Sequence, residues 1–181
     1  TISDKDRVVI GNPYPKHSGG LLNKFKYKDF NLEVLFQWSY DFDILNANKA
    51  TFGVPIRSQY GGLAEMSNAW TPYNTDTNVS SISSQGAPSG NKFDDRFIED
   101  GSFVKLRTVS LGYNLPKDVL KKIRVKSLRF TLSGQNLFTW TNYSGYDPEV
   151  NTGSRGALTQ KLDYGAYPQS RTVSLGVKAT F

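Results

Sequence analysis

The 181-residue sequence predicts an all-β fold and, within that class, a stretch of transmembrane antiparallel β-barrel. Three observations carry this. Phe30 to Leu45 alternates apolar and mostly polar residues over sixteen positions, far beyond the ~5–6 residues of an ordinary globular strand. The connections between strand candidates run short, long, medium-short, long, the asymmetry of barrels with short turns on one side and long loops on the other. The aromatic residues sort to the strand ends, as they do where strands cross a membrane interface.

Composition narrows the alternatives. Aromatics make up 13% of the chain, and its ten Tyr and eleven Phe supply the belts. Cysteine is absent, which removes disulfides, thiol chemistry and cysteine metal sites. One histidine, His17, makes an all-protein zinc site a poor reading. The net charge of +6 comes from Lys and Arg spread through strand candidates, so no nucleic-acid partner is expected. No run approaches the ~18 apolar residues of a membrane helix. Strand alternation halves the mean hydropathy, so this does not bear on a barrel. The opening TISDKDRVV has neither a start Met nor a signal peptide, as in a mature chain or the C-terminal piece of something larger.

Thr1 to Gly20 reads as loop, because Gly11, Asn12, Pro13, Pro15, Gly19 and Gly20 favour turns. Leu21 to Lys28 is the first strand candidate, with Leu21, Phe25 and Tyr27 on one face and lysines on the other. Lys28-Asp29 is a tight turn. Phe30 to Leu45 is the second and longest strand, roughly 50 Å at ~3.3 Å per residue. Residues 46–95 form a long loop, polar in its second half, with a short helix near Leu63–Ser67.

The third strand covers 98–114. Val104 and Leu106 have one parity and Val109, Leu111 and Tyr113 the other, which predicts a β-bulge near Arg107-Thr108. Pro116 suits the start of a short helix over KDVLKKI. The fourth strand covers 127–140, with Phe130, Leu132, Phe138 and Trp140 on its apolar parity. A second long loop spans 142–169. The fifth strand, 171–181, alternates Val173, Leu175, Val177, Ala179 and Phe181 with polar or small residues. One topology places Tyr27, Phe30, Tyr113 and Phe181 at the short-turn side, and Trp38, Tyr40, Phe42, Trp140 and Tyr143 at the long-loop side.

GSFVKLRTVSLGYNLP, SGQNLFTWTNYSGYDPEV and YPQSRTVSLGVKATF occur in that order. Together they resemble the C-terminal end of the SusC/RagA family of TonB-dependent outer-membrane transporters of Bacteroidetes. The likeness runs from about residue 7 to 181 and is densest from Ile98 onward. It implies the last five strands of a 22-stranded barrel, with the plug, N-terminal domains and TonB-binding segment outside this sequence. It also implies a place in the outer membrane, with the C-terminus periplasmic, the long loops extracellular and the wall against outer-membrane lipid. The implied activity is import of oligosaccharide or peptide substrates, driven by the TonB complex, with a SusD-like surface lipoprotein as lid. The terminal Phe resembles the signal read by the barrel-assembly machinery.

The alternatives are a structural barrel component without transport of its own and a soluble carbohydrate-binding β-sandwich. No catalytic, cofactor-binding or metal site is read, no cofactor is expected, and the chain is not expected to be an enzyme. Lys24, Lys26, Lys28, Lys105, Arg107, Arg129 and Lys178 against Glu33, Asp41 and Asp43 suggest a basic wet face. Asp147, Glu149 and Asp163 offer oxygen ligands for calcium, but their spacing matches no loop template, and turn-capping is the stronger reading. Asp94, Asp95, Glu99 and Asp100 read as a solvated loop mouth, and His17 as an exposed loop residue.

Overall fold

A computed structural model describes residues 7–53, 62–82, 94–152 and 160–181. The elements in chain order are β1 (His17–Tyr27), β2 (Phe30–Tyr40), β3 (Asp43–Asn46), α1 (Ala47–Phe52), β4 (Ile98–Asp100), β5 (Phe103–Asn114), α2 (Lys117–Ile123), β6 (Ser127–Thr141), β7 (Leu162–Asp163) and β8 (Thr172–Thr180), with short 3-10 turns at Ala64–Asn68 and Asp95–Phe97. They form two compact units. The wall unit comprises Pro15–Asp41, Gly101–Asn142 and Pro168–Phe181, and the loop unit Thr1–Tyr14, Phe42–Asp100 and Tyr143–Tyr167.

The wall unit is one antiparallel five-stranded sheet in the order β1-β2-β5-β6-β8. Its register draws single rows across the sheet. Tyr27 pairs with Phe30, Phe30 with Tyr113, Tyr113 with Phe130 and Phe130 with Val177. The neighbouring row on this face holds Phe25, Leu32, Leu111, Leu132 and Leu175. Because side chains alternate along a strand, this face is mostly apolar, with Asn23 in the row of Val34 and Val109 as a polar exception. The other carries Lys24, Glu33, Ser110, Ser133 and Ser174 in a single row.

The bulge lies where the parity switch predicts it. On both sides of β5 the pairing steps from Leu106 to Thr108, skipping Arg107. Across from it, β6 leaves Asn136 and Leu137 outside the ladder. Asn136 takes φ 53°, and its side-chain oxygen accepts from Arg107 Nη1 at 3.1 Å. The extra residue resets the phase, so apolar side chains stay on one face despite opposite parities.

Strand bounds differ from the sequence reading for local reasons. β1 begins at His17, because Gly19 and Gly20 are strand residues and not turn residues. A Cβ at Gly19 would meet the Trp38 ring at 2.6 Å, so the glycine makes room for an indole lying across the strand. β2 stops at Tyr40, since Asp41 adopts φ 59° and the alternating residues that follow build β3 in a different sheet. The expected strand 98–114 is likewise two strands, β4 and β5, in different sheets.

The short connections are tight. Lys28 takes φ 50° in the two-residue turn between β1 and β2, and Asn114 N donates to Asp29 O at 2.9 Å. The expected helix over KDVLKKI is α2, with Pro116 as its N-cap and not its first helical residue. Arg124 ends it in the left-handed region at φ 57°.

The loop unit contains a three-stranded sheet ordered β4-β3-β7. Leu45 pairs with Ile98 on one side and, in parallel, with Leu162 on the other. Its core is Phe42, Ile44, Ala47, Ala69, Phe97, Tyr143 and Val150, all buried. The two connections read as long loops therefore contribute to one hydrophobic core, and the short helix expected near Leu63–Ser67 is the 3-10 turn at Ala64–Asn68. Phe42 and Tyr143 belong to that core and not to an aromatic belt, because the chain leaves the wall sheet at Asp41 before it reaches Phe42.

Candidate functional site

The wall unit's distinctive feature is an apolar face that is exposed among the described residues. Leu21, Phe25, Phe30, Leu132, Leu175 and Val177 on this face are all exposed. An isolated exposed leucine needs no explanation, but exposed apolar residues aligned in rows across five strands mark a surface that a partner or lipid would cover. The outer strands β1 and β8 each have one neighbour in the sheet. All nine residues of β8 are exposed. Open edges and an open apolar face are features that a soluble sheet blunts or covers.

Aromatics frame this face at both ends. At the short-turn end Phe30 and Tyr113 pack at 4.6 Å between ring centroids, in the row shared with Tyr27 and Phe130. At the long-loop end Phe138 stacks on Trp140 at 6.1 Å and His17 on Tyr40 at 5.2 Å, and Trp38 Nε1 donates to His17 Nδ1 at 3.3 Å. His17 is thus a strand residue in the aromatic end cluster, not a loop residue. β2 has eleven residues, roughly 36 Å at ~3.3 Å each. A tilt of ~40° leaves a height of about 28 Å, enough for a ~25 Å apolar band.

The basic wet face is only partly assembled. Lys24 and Glu33 face each other across β1 and β2 at 3.3 Å. Arg129 lies over Gly112, where a Cβ would meet its guanidinium at 2.6 Å. Lys105 is buried on this face beside Phe103, with its Nζ 5.7 Å from the ring centroid. Lys28 is in the turn, Arg107 is in the bulge, and Asp41 pairs with Lys16 at 2.5 Å. Asp43 leaves the sheet for the loop unit, where its Oδ2 accepts from Asn12 N at 2.7 Å.

Two carboxylates stitch the loop unit together. Asp163, almost fully buried, accepts from Tyr143 Oη at 2.6 Å and from Asn48 Nδ2 at 3.0 Å, while Asn48 Oδ1 accepts from Gly165 N at 2.8 Å. Glu99 accepts from Ser144 N at 2.9 Å, Ser144 Oγ at 2.8 Å and Asn46 Nδ2 at 3.2 Å, with Lys49 Nζ at 3.6 Å. Each hub joins segments separated by tens of residues, so each closes long loops. Burial pushes the Glu99 carboxyl upward, but the Ser144 bonds, Lys49 and Asn46 outweigh it and leave the group below the usual Glu range. Burial, then the bond to Asp163, raises the Tyr143 phenol well above its ordinary value.

Glu99 therefore does not belong to a solvated mouth. Asp94 does lie nearer solvent, where its bond from Arg96 holds its carboxyl below the ordinary range. Asp147 Oδ1 accepts from Glu149 N at 3.0 Å, a turn-capping role, and the Asp163 oxygens are engaged by Tyr143 and Asn48. Burial lowers the pKa of Lys161 against the pull of Glu149 and Asp147, and its Nζ sits 4.6 Å from the centroid of the Phe42 ring. No local sequence signal marks either hub, since Ile98 and Leu162 beside the two acids are only half-buried.

An open cleft of about 550 Å³ in the loop unit is lined by Asn48, Lys49, Phe52, Glu65, Ser144 and Tyr146, a volume in the range of small-ligand sites. Trp70, Tyr73, Tyr146, Tyr164 and Tyr167 are exposed on the same unit.

No family model matches the chain. Individual proteins do. A TonB-dependent receptor of Formosa agariphila is 38% identical over 99% of this chain and 18% of the relative. A second receptor of that organism is 31% identical with the same coverage. The TonB-dependent receptor SusC of Bacteroides thetaiotaomicron is 27% identical over 100% of this chain and 17% of its own length. Among solved structures, the RagAB peptide transporter superposes with a TM-score of 0.81 at 24% identity, covering 96% of this chain and 18% of that one. The RagAB importer in its open-open state gives 0.77. The chain is related along nearly its whole length to TonB-dependent receptors, SusC among them, and spans less than a fifth of the length of these relatives.

Proposed function

We propose that this chain is a section of the outer-membrane wall of a SusC-like TonB-dependent importer, the last five strands of a 22-stranded barrel. The observation that carries this reading is the single apolar face shared by five long strands, open to its surroundings, bounded by aromatic rows and ending in two unpaired edges. Strands of a larger barrel would satisfy β1 and β8, and lipid would cover the face. In this reading the short turns and the C-terminus are periplasmic and the loop unit is extracellular.

The imported class is glycan fragments or peptides, with a SusD-like surface lipoprotein over the mouth and the TonB complex supplying energy through a part of the protein beyond this chain. The exposed Trp70, Tyr73, Tyr146 and Tyr167 support a contact role for the loop unit, since exposed tyrosine and tryptophan are the side chains that anchor protein and ligand contacts.

The test uses the complete protein in cells. Deleting residues 142–169 should abolish both uptake and recovery of the lid lipoprotein in a pull-down while the barrel still inserts. Undiminished uptake and pull-down would sink the transport role of these loops. A purely structural barrel component would insert and support no uptake even when intact. A separate check takes the chain alone into detergent-free buffer, where aggregation is expected and a stable monomer would contradict the membrane wall.

A further inference from the structure

We infer that the α2 turn of the wall unit is a docking site for anionic phospholipid headgroups, held against the bilayer surface on the short-turn side. From Lys117 to Lys126 the chain carries Lys117, Lys121, Lys122, Arg124 and Lys126 against one carboxylate, Asp118. All five cations are exposed. Among the described residues, none forms an ion pair with them. A solvated basic helix would show the same charges, so position and rigidity decide between the readings.

Position comes from the register. The segment leaves the sheet just after Tyr113 and re-enters just before Phe130, and both residues belong to the aromatic row that closes the apolar face. Interfacial aromatics sit at headgroup level, which puts the cations at the depth of the phosphates. Rigidity comes from the backbone. Leu115 N donates to Leu128 O at 2.9 Å and Lys126 N to Thr180 O at 2.8 Å, pinning both ends of the segment to the sheet. Leu120 is buried as the anchor, while Val119 remains exposed as an apolar contact beside the cations. A pinned array of ammonium groups beside an apolar band is complementary to a phosphate-bearing leaflet, and long lysine side chains reach such a surface while their stems stay apolar.

The inference rests on the membrane reading above, and its test separates the two. The complete protein is placed in nanodiscs of mixed phosphatidylcholine and phosphatidylglycerol, and the lipid retained after mild detergent stripping is counted by mass spectrometry. Phosphatidylglycerol should be enriched at least ~3-fold over its bulk share. The enrichment should fall to the bulk ratio when Lys117, Lys121, Lys122 and Lys126 are each changed to Gln, persist when the same four are changed to Arg, and weaken as salt is raised. Equal enrichment in the wild type and the Gln variant would overturn the headgroup site and leave the wall reading standing. So would cations already engaged by carboxylates elsewhere in the complete protein, seen as enrichment absent from the wild type. Failure of the wild type to enter nanodiscs of either lipid would overturn both. If the Gln variant does not fold, wild-type enrichment unaffected by salt is the overturning result.

Discussion

Glu99 shows how one side chain can hold two long connections together. Its carboxylate takes both the amide and the hydroxyl of Ser144, a residue far along the chain, and faces Lys49. Bonds to an ionised acceptor are worth about 1.5–3 kcal/mol each before competing terms, so Glu99→Gln should destabilise the loop unit by roughly 1–3 kcal/mol. The folded pKa lies below the unfolded one, so this stability is present above the unfolded value of about 4.3 and is lost as pH falls through the folded pKa. Hydrogen exchange at the Ser144 amide, compared at neutral and acidic pH, should show protection falling with acid in the wild type and flat in the Gln variant. Equal pH dependence in both would remove Glu99 from this role. Tyr143→Phe tests the second hub: Asp163 keeps its Asn48 bond but loses the 2.6 Å hydroxyl, and thermal unfolding of the loop unit should lose about 1–3 kcal/mol. Neither hub was legible in the sequence as a hub. Acidic residues in a polar stretch look alike whether solvated or buried, and only tertiary contact with Ser144 or Tyr143 distinguishes them.

The strands were legible where alternation and backbone agree, and misleading where alternation outlives the strand. Phe36, Trp38, Tyr40, Phe42 and Ile44 keep one parity without interruption, so Phe30 to Leu45 reads as a single element. The break at Asp41 lies in φ, which leaves no trace in a hydrophobic pattern. The bulge at Arg107 was legible for the opposite reason: an odd number of extra residues must switch the parity of every apolar side chain beyond it. Asp41 therefore has a testable role. A short polar side chain tolerates the left-handed region, whereas a β-branched one there costs about 1–2 kcal/mol. Asp41→Val should lower the thermal midpoint of the refolded protein, and Asp41→Gly, which loses the same Lys16 pair without the backbone penalty, should lower it less. A Val variant as stable as the Gly variant would mean that the positive φ does not constrain this position.

Over the molecule as a whole, the membrane reading proposed above rests on the distribution of residues and not on composition. A charge of +6 and a polar average would suit many soluble proteins. What distinguishes this chain is that five strands spread between His17 and Thr180 place most of their apolar residues in shared rows, which the sheet order and register reveal. Val109 and Ser110 test the consequence most directly, because they are adjacent, share the central strand β5 and point to opposite faces. Val109 lies four residues from the aromatic row at Tyr113 and five from Val104, which pairs with both Trp38 and Trp140, so it falls near the middle of the apolar band. An arginine at the lipid midplane costs about 2–4 kcal/mol, and on the face turned away from lipid it costs far less. Val109→Arg should therefore reduce the unfolding free energy of the complete protein in phospholipid bilayers by about 2–4 kcal/mol in a denaturant titration, while Ser110→Arg changes it by less than about 1 kcal/mol. Equal losses at the two positions would show that the faces are not in different solvents, and an inverted result would place the lipid on the side that carries Lys24, Ser133 and Ser174.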